Sequence, residues 1–314
     1  MKPYLTKRMI GFLINLILVS FFVFALLRLV PGDAAANILG QDATPENLVK
    51  FREEHGLNGS LVEQYTRWVG GILTGDFGKS LWSHTSVTSE FLSRLPITLE
   101  IVLLSFTFTV LLGTGAGILS ALRQNSTSDV SIRLVAILGL AVPSFVLLTM
   151  LLIVPARVAG YAPPFGATDP FADPLDNLRL FVPPTLLLSI GSAAVLMRFT
   201  RSGFLEVMRQ DYIRTARAKG LDEHVITMRH AMRNALPPII TLAGLQLGGL
   251  LSGSIILEFV MGLPGLGVWT VDAIENKDTP VVMIVSMYSA LVLMTINLVI
   301  DLSYGWIDPR IRLS

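Results

Sequence analysis

Three groups of side chains in this sequence could do chemistry, and their types narrow what that chemistry can be. Glu100, Glu258 and Asp301 stand in or at the edges of long apolar runs, where an ionisable group is costly and marks a candidate functional position. Glu258 is the candidate for contact with a polar solute. Glu100 and Asp301 lie where interfacial water or a neighbouring Arg would serve them. The second group is the segment Asp211-Tyr212-Ile213-Arg214-Thr215-Ala216-Arg217-Ala218-Lys219-Gly220. Short side chains at Thr215, Ala216, Ala218 and Gly220 let such a helix and turn sit deep in a partner's groove, and Arg214, Arg217 and Lys219 flank it with donors for acidic groups or phosphates. The third, Gly78-Lys79-Ser80, resembles the end of a phosphate-binding loop. The first glycine of such a loop would fall at Leu73, and no strand-to-helix context surrounds it, so the segment reads as a packing turn.

What is missing narrows the chemistry further. Cys is absent, which excludes disulfides, thiolate nucleophiles and thiolate metal sites. His55, His84, His224 and His230 form no metal constellation: His224 and His230 share a loop but lack the i, i+4 spacing of a helical ligand pair. No nucleophile–base pair or carboxylate dyad is present, so catalysis within this chain is not expected, and the charge balance gives no sign of nucleic-acid binding.

These residues are positioned by long apolar segments. With 52% hydrophobic residues, 15% charged residues and a net charge of +1 in 314 residues, the composition is that of a chain whose solvent is lipid. Apolar runs at 9–30, 96–122, 134–154, 181–199, 236–260 and 280–304 suit helices crossing the roughly 30 Å hydrocarbon core of a bilayer. A barrel would show short alternating segments instead. The first run exceeds the apolar core of a signal peptide and is read as an uncleaved span, although Ala34-Ala35-Ala36 follows it. Pro96 is expected to open the second span, Pro143 to kink the third and Pro155 to help end it. Gly113, Gly115 and Gly117 offer a small face for close helix contact. So does the row Gly244, Gly248 and Ser252 with Gly249 and Gly253, there expected against a partner chain. The stretch Gly262-Leu263-Pro264-Gly265-Leu266-Gly267 is expected to break helical structure, and irregular backbone near a membrane needs protein or water around it. Glu258, Gly262, Pro264, Gly265 and Gly267 are therefore the candidate gate or translocation-path residues.

Six spans put both termini on one side. Lys2, Lys7, Arg8, Arg123, Arg133, Arg310, Arg312 and eight basic residues from Arg198 to Arg233 share that side, against Arg157, Arg179 and Lys277 on the opposite short loops. Cytoplasmic loops carry the excess of Lys and Arg, so both termini and the basic segment are expected in the cytoplasm. The chain then divides into a tail and first span at 1–30, a small exported domain at 31–95 and a core of five spans at 96–314, with the basic segment at about 203–233 inside it. The expected fold class is all-α: a polytopic membrane protein with six transmembrane helices plus that exported domain.

Several motifs are specific. They are Gly75-Asp76-Phe77-Gly78-Lys79-Ser80-Leu81, Leu95-Pro96-Ile97-Thr98-Leu99-Glu100, the segment 211–221, Asn234-Ala235-Leu236-Pro237-Pro238, Glu258-Phe259 followed by Pro264-Gly265-Leu266-Gly267, and Asp308-Pro309-Arg310. Through them, and over nearly its whole length, the chain resembles a permease subunit of the bacterial peptide and nickel class of binding-protein-dependent ABC importers, of the first-subunit type with a longer exported loop. The general importer signature begins Glu-Ala-Ala where this chain has Arg214-Thr215-Ala216, while Gly220 and Leu236-Pro237 keep the expected spacing.

The resemblance implies a type I importer permease fold in the bacterial inner membrane. It implies ATPase coupling through Arg214, Thr215, Ala216, Arg217, Ala218, Lys219, Gly220, Leu236 and Pro237. It also implies a second homologous permease, two cytoplasmic ATPases carrying the ATP and Mg, and an extracytoplasmic solute-binding protein, with no cofactor or metal in this chain. The implied solute is a di- or oligopeptide, with nickel chelates, glutathione or sugars as alternatives. The rival class is a secondary transporter driven by an ion gradient, which would show inverted repeats and ion-coordinating groups at the midplane.

Overall fold

Long apolar runs fold as long helices in the computed structural model, which describes residues 2–29, 34–54, 58–160, 166 and 170–307. Helix α1 spans Lys2–Leu29. Then come the short α2 (Ala34–Leu39), α3 (Pro45–Glu54) and α4 (Leu61–Thr74), the long α5 (Val87–Leu122), and α6 (Thr127–Ala141) with α7 (Ser144–Ala159). Helix α8 runs Pro174–Met208 and α9 Asp211–Ala218. Helix α10 (Glu223–Val225) passes through a π-helical turn, Ile226–Ala231, into α11 (Met232–Met261). Helices α12 (Leu266–Glu275) and α13 (Thr279–Ile307) complete the described chain. Among the described residues five stretches are long and apolar enough to cross a membrane, and the bent pair α6–α7 makes a sixth if counted as one span.

Pro96 and Pro155 do not act as the sequence suggests. Pro96 lies inside α5, because Val87, Phe91 and Leu95, each four residues apart, form one apolar face that carries the helix upstream. Pro155 lies inside α7. Pro143 does more than kink a helix: α6 and α7 meet at 91°. Without an amide proton Pro143 cannot continue α6, and it forces the preceding residue into extended geometry; Val142 has φ −96 and ψ 119. The Pro143 carbonyl then accepts the Val146 amide at 3.0 Å and starts α7. Helical structure also begins well before Leu236, so Leu236 and Pro237 lie within a continuous span from Glu223 to Met261. Gly267 is likewise helical, near the start of α12.

The chain forms two compact units, Met1–Ile97 with Pro264–Thr295, and Thr98–Leu263 with Ile296–Ser314. In the first, α4 begins with a capping box between Ser60 and Glu63 and ends on Gly75 at φ 79. Its Tyr65 packs edge-on and its Trp68 at a tilt against Phe24 of α1, and the Tyr65 hydroxyl lies 2.8 Å from that of Ser20. Residues 75–81 form the expected packing turn. Asp76 accepts the Gly78 amide, and Gly78 takes φ 83. Asp278, 4% exposed, accepts both the Ser80 hydroxyl and the Leu81 amide. Val87 and Phe91 share an apolar cluster with Leu266, Ala273, Val281, Ile284 and Val285.

In the second unit α8 is the central helix. Its apolar window is 56% buried. Gly113 and Gly117 set the α5–α8 distance: a Cβ on Gly113 would meet the Ala193 carbonyl at 2.9 Å, and one on Gly117 the Met197 carbonyl at 2.8 Å. Gly115 faces open space. On α11, Gly244 is covered by Ile300 and Ile296 of α13, and Gly253 by Leu188 of α8. Those two small residues are thus filled from within the chain, not by a partner.

Candidate functional site

Helix α9 is short and is closed at its C-terminal end. Asp211 sits in its first turn and Arg217 in its last, each at the end where its charge complements the helix dipole. At the far end the Leu221 amide bonds the Ala216 carbonyl and the Gly220 amide bonds the Arg217 carbonyl. This pair of bonds is a Schellman motif and requires a left-handed residue between them. Gly220 supplies it at φ 75.

The helix has two faces. Ile213 and Ala216 are buried in an apolar cluster with Ala121 of α5, Phe204 of α8, and Ile226, Ala231, Ala235 and Ile239 from the π-turn and α11. Asp211, Tyr212, Arg214, Thr215, Arg217, Ala218, Lys219 and Gly220 are exposed. The inward placement of Ala216 means that its small size serves packing within this chain. The outward surface is made by Arg214, Thr215, Ala218 and Lys219 with Arg217 beside them. Arg217 donates to Glu223 from Nε at 2.6 Å and from Nη2 at 3.3 Å, and that bond holds its guanidinium more firmly protonated than usual. Tyr212 accepts the Asn234 amide group at 2.8 Å, which ties α9 to α11. Leu236 and Pro237 are half-buried in α11, beside the cluster residue Ala235.

The acidic candidates have different surroundings. Glu258 is fully buried on α11 and accepts the Thr98 hydroxyl of α5 at 2.7 Å. Two of the sequence motifs, Leu95–Glu100 and Glu258–Phe259, therefore meet at one hydrogen bond. One turn beyond, Gly262 takes φ 64, and the Leu263 amide bonds the Glu258 carbonyl at 2.9 Å, which ends the helix. Glu258 and Gly262 belong to one compact unit, and Pro264, Gly265 and Gly267 to the other. Glu100 is half-buried and hydrogen-bonds Asn177. The Asp308–Arg310 motif lies outside the described residues. Among the described residues no group of three or more His, Asp or Glu side chains is placed to hold a metal ion.

One residue escaped the sequence reading. Asp129, at the first turn of α6, is fully buried and gripped by Arg201 of α8 through two bonds of 2.9 Å. Ser126-Thr127-Ser128-Asp129 carries the Ser-x-x-Asp sign of a helix start, and the Ser126 hydroxyl does accept the Asp129 amide. Nothing local points to Arg201.

Helices of span length, a bent pair, and a short two-faced helix set between the α8 and α11 spans define a polytopic membrane protein. Residues 113–313 match the family described as binding-protein-dependent transport system inner membrane component, and residues 1–102 match its N-terminal counterpart. The chain belongs to this family: it is a permease subunit of an ABC importer, not an enzyme. It is 37% identical over 312 residues, 99% of each chain, to the glutathione transport system permease protein GsiC of Escherichia coli strain K12. The same identity and coverage hold for GsiC of Salmonella paratyphi A. Among solved structures it resembles a chain of the MetNI methionine ABC transporter, with a TM-score of 0.53 at 17% identity, covering 69% of this chain and 96% of that one. That last likeness is one of fold.

Proposed function

We propose that this permease forms, with a second homologous permease, the path by which di- or oligopeptides, glutathione among them, enter a bacterial cell. Two ATPases dock on the cytoplasmic side and supply ATP and Mg. An extracytoplasmic binding protein delivers the solute and shifts the equilibrium by its differential affinity for one conformation. The observation that carries the reading is α9, with an apolar face seated in its own chain and a face of small and basic residues left outward. Arg214, Thr215, Arg217, Ala218, Lys219 and Gly220 are its docking residues. Ala216, Leu236 and Pro237 hold that surface from behind, within a coupling segment at about 203–233. Glu258, Gly262, Pro264, Gly265 and Gly267 belong to the gate or path. The peptide assignment draws on the name of the GsiC relatives and on glutathione being itself a small peptide.

Functionally the chain divides into the tail and first span (1–30), an exported domain (31–95) and the permease core (96–314), with both termini cytoplasmic. Because native Cys is absent, single cysteines report sidedness directly. Cysteines at Asn125 and Ala218 are expected to react with membrane-impermeant maleimide only after the cytoplasmic face is opened, and those at Asn58 and Asp173 in intact spheroplasts. Reversal at any of the four overturns this orientation.

The test of the function is reconstitution of this chain with its companion permease, ATPases and binding protein in liposomes. ATP-dependent, saturable uptake of labelled glutathione or of di- and tripeptides is expected. Uptake of a nickel chelate or a sugar with none of any peptide would overturn the substrate class, and uptake without ATPase subunits would overturn the coupling.

A further inference from the structure

The carboxylate of Asp129 has no exposed surface and is held from three helices and a turn. Arg201 of α8 donates Nε to Oδ1 and Nη2 to Oδ2, each at 2.9 Å. Ser120 of α5 donates its hydroxyl to Oδ1, and the Asn125 backbone amide donates to Oδ2. Arg133, one turn along α6, comes within 3.4 Å. A planar guanidinium gripping both oxygens fixes angle as well as distance.

The neighbourhood brings this grip next to α9. Ala121, adjacent to Ser120, and Phe204, three residues after Arg201, belong to the cluster that buries Ile213 and Ala216. One turn further along the same two helices, Gly117 abuts Thr200 and Met197, and on α6 Gly139 abuts Ile190 of α8. Helices α5, α6 and α8 thus have no slack to slide past one another.

A buried ion pair contributes little net stability beyond apolar packing of the same volume, and its best-attested use is to fix register. We propose that Asp129 is a positioning residue: it locks α6 and the end of α5 to α8 and the seat of α9, so that a displacement imposed on α9 reaches the α6–α7 bend as rigid-body movement. The proposal rests on the reading of α9 as the ATPase-docking element.

Spin labels on Asp211→Cys, exposed on α9 and outside the docking residues, and on Leu138→Cys, in the otherwise cysteine-free chain within the whole importer, test it. The α9–α6 distance is expected to be the same in the nucleotide-free and the ATP-trapped complex. Asp129→Asn is expected to broaden that distance and to lower solute imported per ATP hydrolysed about tenfold, with the ATPases still co-purifying. The exchange Asp129→Arg with Arg201→Asp is expected to recover part of the loss. A wild-type distance that changes between the two states overturns the proposal. So does an Asp129→Asn complex in which import and hydrolysis fall in parallel, their ratio unchanged, as a plain structural anchor would give. If Asp129→Asn fails to reach the membrane, the wild-type distance alone decides. The α9 reading fails separately, if ATPases stay bound when Ala218 is replaced by Trp.

Discussion

Ala218→Trp is expected to strip the ATPases from the importer and to abolish most solute uptake while this chain reaches the membrane at its normal level. Ala218 is exposed on α9 and has ordinary helical geometry, so within the chain an indole there meets solvent and strains nothing. In a close-fitting partner groove the same ring overpacks by about 1–3 kcal/mol, which is about a fivefold to 150-fold loss of affinity. Co-purification of the ATPases from detergent and uptake by proteoliposomes measure it. Leu73→Trp, at an exposed position of α4, is the control. Ala216→Trp should behave differently. Its side chain is 7% exposed in the α9 seat, so the indole invades the chain's own core and the membrane level itself falls. Retention of the ATPases and wild-type uptake by Ala218→Trp would remove α9 from the coupling role.

The largest stability effect is expected at Phe204. Its ring is fully buried at the centre of the cluster that seats Ile213 and Ala216. Phe204→Ala should cost about 3–5 kcal/mol through lost burial and the cavity left behind, read as a lowered unfolding temperature of the purified chain in detergent. Phe204→Leu refills much of the volume and should cost less. α9 is exposed on its other face, so the loosening should appear first there, as faster proteolysis at Arg214, Arg217 and Lys219. An unchanged unfolding temperature for Phe204→Ala would mean that the seat of α9 is not where the structure places it.

How much of this was legible depended on how local the cause was. The long helices were, because the length and apolarity of a span are properties of consecutive residues. The start of α5 was not: Val87, Phe91 and Leu95 do repeat every four residues, but Thr88, Ser89, Glu90, Ser93 and Arg94 between them give the stretch a polar, loop-like composition. Pro143 was visible as a kink, and the break at 91° was not, since the packing of α6 and α7 on α8 is tertiary. On α9 the i, i+3 pair Ile213 and Ala216 carried the sign of an inward face, which the run of small residues around it obscured. The partners of Gly244 and Gly253 come from α13 and α8, and no feature of the glycine row says whether such a face meets its own chain or another. Asp129 and Arg201 are 72 residues apart in sequence, so one half of that pair predicts nothing about the other.

The bond from Asp278 to the 75–81 turn sets an order of events during synthesis. The Leu81 amide and its acceptor are separated by 197 residues, and the first compact unit is completed only by Pro264–Thr295. A ribosome adds about 5–20 residues per second, so the turn waits about 10–40 s for its acceptor. Throughout that interval the Ser80 hydroxyl and Leu81 amide have to be hydrated or held by something else, while the helices of the other unit are already being made and inserted.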